Sequence, residues 1–106
     1  AGANVSPLEV EAVLQDCDGV ATAVAFGLDD PERGEVVCAV LVPSGNGLDL
    51  AAVAGYAREQ LSSYKVPRRW ALATTDQIPV LASGKLDRKA LPALVTAGAL
   101  ALVAAG

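Results

Sequence analysis

Apolar residues recur along this chain with two different periods, and the changes of period divide it into elements. Over residues 7–16, Val10, Val13 and Leu14 keep the three-and-four spacing of one helical face, with Glu9 and Glu11 off that face. Three signals mark the start of this helix: Ser6 as N-cap, Pro7 at the first helical position, and Glu9 at the spacing of a capping box. Residues 20–28 are dense in Val and Ala and predict a strand, which the charged turn at 29–34 ends. Residues 35–42 predict its antiparallel partner. After a loop at 43–47, Asp49 caps a helix reaching roughly Leu61, and its stripe of Leu50, Val53, Ala57 and Leu61 is set to cover one face of the sheet. Pro67 forces an extended entry into a third strand at 68–73, in which Trp70 is expected to pack. Near the end, Asp87 is placed to cap a short helix with Arg88 and Lys89 in its first turn, and Pro92 predicts a break.

These elements imply an α+β fold: a small, three-stranded, mostly antiparallel sheet covered on a face by two helices, with a C-terminal helical piece. Residues 93–106 carry no charge and are rich in Ala and Gly. At fourteen residues the tail is short of the roughly 20 needed to span a bilayer. It is expected either to start a new helix or to fray, packing on this domain, on another domain or on a second copy, so self-association through it is one expectation.

Composition then narrows the chemistry. Hydrophobic content of 53% with 4% aromatic residues predicts a core of Ala, Val and Leu, in 106 residues that suffice for one domain. Charged residues make up 19%, low enough to suit a domain that docks on another. A net charge of -4 argues against a nucleic-acid partner, because that binding needs a basic surface to neutralise phosphates. With no histidine, a His triad, a His general base and a His-ligated metal are excluded. Cys17 and Cys38 form no Cys-x-x-Cys pair, so no metal or thioredoxin-like site is expected. The chain begins without a charged-then-apolar leader, which predicts a cytoplasmic setting, and its opening Ala1-Gly2-Ala3 reads as that of an excised fragment.

The stretch richest in candidate chemistry is 79–91. Ala82, Ser83 and Gly84 are small and let the backbone approach a ligand, and they bring Lys85 to the tip of a flexible turn. A lysine ammonium there is a compact charge with three donors on a long stem, able to follow negative charge between oxygens. The Walker pattern fails, because Pro79 stands where its first glycine belongs and Leu86 where its Ser or Thr belongs. Arg88 and Lys89, at the unfavourable end of a helix dipole, are either solvated or facing an anion. Lys65, Arg68 and Arg69 form a second basic cluster, either deterring strand addition at a sheet edge or contacting phosphates.

Residues 79–91 resemble the last core motif of the adenylate-forming enzymes: acyl-CoA synthetases, peptide-synthetase adenylation domains and luciferases. Two further stretches resemble that family in the same order: residues 2–11, which follow its interdomain hinge, and Tyr64-Lys65-Val66-Pro67-Arg68. The resemblance covers about residues 1–92 and is to the small, mobile C-terminal domain, most like that of acyl-CoA (fatty-acid–CoA) synthetases. The large N-terminal domain is not in this chain. Leu81 departs from the pattern, which commonly has threonine there.

What the resemblance implies is a two-step ligase. A carboxylate attacks ATP to give acyl-AMP and pyrophosphate, and the thiol of CoA then displaces AMP. Lys85 would be the adenylation lysine, with Ser83 and Gly84 supporting its loop. After the domain turns, Gly2, Ala3 and Asn4 would line the CoA tunnel, unless they merely lead into the first helix, and Lys65 and Arg68 would contact CoA phosphates. Arg33-Gly34-Glu35 would make domain contacts or brace their loop. ATP and Mg2+ would be held mainly by the large domain, leaving the fragment alone inactive. Two alternatives are an adenylation-domain fragment that loads a carrier protein and a non-catalytic anion-binding or dimerisation module. The chain is not itself a carrier, since neither Ser6 nor Ser83 follows an aspartate.

Overall fold

The computed structural model describes residues 5–105. Helix α1 spans Pro7–Gln15, strands β1 and β2 span Val20–Asp30 and Gly34–Pro43, and helix α2 spans Leu50–Gln60. Strand β3 (Arg69–Leu72), helix α3 (Leu91–Thr96) and strand β4 (Leu102–Val103) follow, with short 3-10 turns at Ser63–Lys65, Thr75–Gln77 and Arg88–Ala90. The strands form one sheet in the order β1-β2-β3-β4. β1 and β2 pair antiparallel, β2 and β3 parallel across the α2 crossover, and β3 and β4 antiparallel.

The sheet is mostly antiparallel, as the sequence predicts, but has four strands among the described residues rather than three. The extra strand comes from the uncharged tail, where Leu102 and Val103 pair with Ala71 and Trp70. The tail is helical only to Thr96; beyond it Leu100 is buried in this domain's own core. Pro92 starts α3 instead of breaking a helix, because a proline in the first turn lacks only an N–H that has no helical partner there.

Seven consecutive apolar residues, 36–42, are all buried in β2. Such a run belongs to a strand covered on both faces, and two cores result. On one face Val10 and Leu14 of α1 and Val53, Ala54 and Ala57 of α2 pack on Ala25, Val37, Ala39, Leu41 and Trp70. On the other, Leu91 and Val95 of α3 and Leu100 pack on Val24, Phe26, Cys38 and Val40.

Local signals explain the element ends. Ser6 Oγ accepts from the Glu9 N–H at 3.4 Å and Asp49 Oδ1 from the Ala52 N–H at 3.2 Å, so both predicted N-caps form. The capping box at Glu9 does not: its carboxylate reaches Lys65 at 2.8 Å. Asp87 precedes the Arg88–Ala90 turn without a side-chain cap. The β1–β2 turn is held by Asp30, whose Oδ1 accepts from the Glu32 and Arg33 N–H groups at 2.9 Å each.

Candidate functional site

Lys85 stands on a hairpin that is fully accounted for by its backbone. Val80 and Leu86 pair across it, the Leu81 N–H donates to Lys85 O at 2.7 Å, and the Gly84 N–H donates to Leu81 O at 2.8 Å. This is a three-residue turn, Ala82-Ser83-Gly84, closed by a residue in the left-handed region, which Gly84 supplies at φ +87°. Below it the Asp87 N–H donates to Pro79 O at 2.9 Å. The turn predicted to be flexible is thus a bonded hairpin. Strand alternation sends Leu86 inward against the core beneath α3 and leaves Lys85 exposed. Among the described residues Lys85 makes no ion pair, so its ammonium is available to a ligand. Ser83 sits in the turn itself, where its Oγ accepts from the Lys85 backbone N–H at 3.5 Å.

The residue three positions on is committed. Arg88 Nη2 donates to Glu11 Oε2 at 2.7 Å, and its Nε to Ala25 O at 3.1 Å. The same Glu11 oxygen accepts the Ala25 N–H at 2.7 Å. Ala25 lies on β1, an outer strand, so the pair satisfies an edge backbone that would otherwise face outward unpaired. Of the two choices open for Arg88, it is the anion that holds. Glu11, expected off the buried face, is 8% exposed; it flanks Val10 on the helix and reaches the strand edge from there.

The second basic cluster divides. Lys65 is held by Glu9 and lies 5.6 Å from the centre of the Tyr64 ring; its hydrogen bond to Glu9 raises its pKa. Arg69 Nη2 pairs with Asp30 Oδ2 at 2.7 Å. The backbone N–H donors of Arg33 and Glu32, in that order, hold the Asp30 carboxyl below its ordinary pKa, with Arg69 adding to them. Arg68 is exposed and makes no ion pair among the described residues. It borders a cleft of about 700 Å3 that Arg33 and Arg58 also line. Neither Arg33 nor Arg58 makes an ion pair among the described residues, so three unpaired guanidinium groups line the cleft, together with the Arg69–Asp30 pair and the Glu32 carboxylate. Sequence reasoning missed Arg58, which reads locally as an ordinary surface residue in the last turn of α2. Trp70 is buried, as expected. Gly2, Ala3 and Asn4 lie outside the described residues.

The exposed Lys85 is also where a family match ends: the family model described as AMP-binding enzyme C-terminal domain matches residues 9–85. The chain belongs to that family. As a C-terminal domain of this kind it is 41% identical over 90 residues to 2-succinylbenzoate–CoA ligase of Bacillus licheniformis, covering 85% of this chain and 18% of the relative. Among solved structures it resembles Mycobacterium tuberculosis fatty acyl CoA synthetase (TM-score 0.80, 30% identity, 91% of this chain and 19% of that one). It also resembles o-succinylbenzoate CoA synthetase from Bacillus subtilis in complex with its acyl-adenylate intermediate (TM-score 0.76, 35% identity, 86% and 18%). The C-terminal domain described here spans less than a fifth of the length of the curated relatives it matches.

Proposed function

We propose that the chain is the mobile C-terminal domain of an ATP-dependent acyl-CoA synthetase, and that Lys85 is its adenylation lysine. The observation that carries this reading is Lys85 itself, exposed on a bonded hairpin, free of any described ion pair, and at the end of the matched segment. Relatives named as CoA ligases support the reaction class.

In the first step a carboxylate oxygen attacks the α-phosphorus of ATP, the bond to pyrophosphate breaks, and acyl-AMP forms. Negative charge gathers as the two groups close, and the Lys85 ammonium between them offsets it without having to leave another partner. In the second step the CoA thiol attacks the acyl carbon and AMP leaves. The domain turns between the steps, withdrawing Lys85 and presenting Gly2-Ala3-Asn4 to the tunnel. Arg68, with Arg33 and Arg58 beside it, then takes CoA phosphates, and Lys65 serves that surface by bracing it through Glu9. ATP is held mainly by the large domain. Mg2+ is assigned to the large domain together with ATP; no group of three or more His, Cys, Asp or Glu among the described residues is placed to hold a metal ion. Both cysteines are unpaired, which fits the cytoplasmic setting we assign. No helix among the described residues is long and apolar enough to cross a membrane.

The test is acyl transfer by the full-length protein from supplied acyl-adenylate, with CoA or a carrier protein as acceptor. Arg68→Ala is expected to raise the KM for CoA about 10-fold, the size of one charged hydrogen bond. An unchanged KM would remove the cleft from the reaction. Transfer to the carrier alone would favour the carrier-loading reading.

A further inference from the structure

We infer that Glu11 and Arg88 are a positioning pair for Lys85, fixing its hairpin to the domain body so that the lysine moves with the domain as one piece. The inference rests on the assignment of Lys85 as the adenylation lysine.

The hairpin's backbone bonds, 80 to 86, 81 to 85, 84 to 81 and 87 to 79, all close within itself. They fix its shape but leave its angle to the sheet open. Residues 81–85 are exposed, and Val80 is 61% exposed, so the tip is held by no packing of its own. Two kinds of contact set the angle. Ile78 and Leu86, one on each side of the hairpin, pack against the core beneath α3, and Arg88 reaches around the β1 edge to Ala25 O and Glu11.

Geometry makes the second contact directional. The rigid guanidinium fork places Nε on the strand carbonyl and Nη2 on the carboxylate, while Glu11 Oε2 takes the Ala25 N–H as well. Three groups from α1, β1 and the hairpin exit therefore meet at one point, adding a directional constraint to the non-directional apolar contacts of Ile78 and Leu86. α1 packs on one face of the sheet and α3 on the other, so the pair ties both layers to the segment that carries Lys85. Lys85 is three residues from this anchor, within about 10 Å along the chain. A misplacement of about 1 Å at a reacting group can lower a rate about 10²-fold.

The experiment uses the full-length protein and follows two readouts: pyrophosphate release from ATP with the acid, and thioester formation from supplied acyl-adenylate with CoA. Arg88→Ala is expected to cut pyrophosphate release about 10²-fold and thioester formation only a few-fold. Arg88→Lys, which keeps the charge but loses the fork, should fall between wild type and Arg88→Ala. Because Arg88 acts through Lys85, the double variant Arg88→Ala/Lys85→Ala should release pyrophosphate no more slowly than Lys85→Ala alone. Glu11→Gln keeps the acceptor oxygen and removes the charge, and should give the same split at smaller amplitude even if Arg88→Ala folds poorly. Equal losses in both half-reactions, or losses that multiply in the double variant, would overturn the inference. Full pyrophosphate release by Lys85→Ala would instead overturn the lysine assignment beneath it.

Discussion

Gly19 and Gly84 have almost the same backbone, φ +85° and +87°, in different surroundings. A Cβ at Gly84 would meet nothing within 4 Å, whereas at Gly19 it would lie 2.8 Å from Leu48 Cα and 3.0 Å from Gly47 O. The pair therefore separates dihedral strain from overpacking. In both, alanine in the left-handed region costs about 1–2 kcal/mol, offset by up to about 1 kcal/mol from a less flexible unfolded chain. At Gly84 that is the whole effect, so Gly84→Ala should destabilise by about 1 kcal/mol. At Gly19 the new methyl faces backbone, which cannot swing aside as a side-chain end can, and overpacking adds about 1–3 kcal/mol. Gly19→Ala should then cost about 2–4 kcal/mol, a large share of the roughly 5–15 kcal/mol expected of a domain this size. Urea unfolding of the 106-residue chain, with the midpoint multiplied by a common m-value, measures both. Equal costs for the two variants, or a neutral Gly19→Ala, would refute the reasoning that the Leu48 contact is rigid.

Other expectations concern charges and thiols. Asp30 has a folded-state pKa below its usual 3.8, so its contribution is present above that value and is lost as pH falls through the lowered one. Asp30→Asn should be less stable than wild type near neutrality, and the urea midpoints of the two should converge as pH falls through the lowered pKa. Lys65 has a raised pKa, so its tie to Glu9 is present below 10.5 and is lost as pH climbs through the raised value; Lys65→Met should shrink the alkaline loss of stability. Burial pushes the Cys38 thiol up to about 12, while Cys17 is half-buried and raised, first by burial and then by Asp16 and Asp18. A thiol reagent at about pH 8 should modify Cys17 in the folded protein, more slowly than a free thiol, and Cys38 only on unfolding, and equal rates would contradict the two-faced core.

Much of the fold was legible because its signals are local. Ser6 and Asp49 announce their helices within three residues, and the charged turn before Gly34 announces the β1–β2 hairpin. The exposed position of Lys85 at a turn was legible for the same reason, since small residues and a glycine precede it directly. What escaped depends on partners distant in sequence. Glu11 sits beside Val10 on α1 and looks solvated until Ala25 and Arg88 arrive from elsewhere in the chain. Glu9 has the spacing of a capping box, and only the fold brings Lys65 close enough to compete for its carboxylate. Strand β4 is two residues in an uncharged tail, too short for alternation to register, and its place is set by the free edge of β3. The unbroken apolar run at 36–42 did carry the signal of a strand covered on both faces, and α3 with Leu100 is what covers the second one.

The most direct test of Lys85 as the adenylation lysine is pyrophosphate release by the full-length protein, wild type against Lys85→Ala, with ATP, magnesium and a panel of carboxylic acids. Removing a preorganised charge costs on the order of 10²–10³ in rate, so the variant should lose release by that factor while still converting supplied acyl-adenylate and CoA to thioester. Undiminished pyrophosphate release by Lys85→Ala would contradict the account and leave the hairpin as part of a binding module.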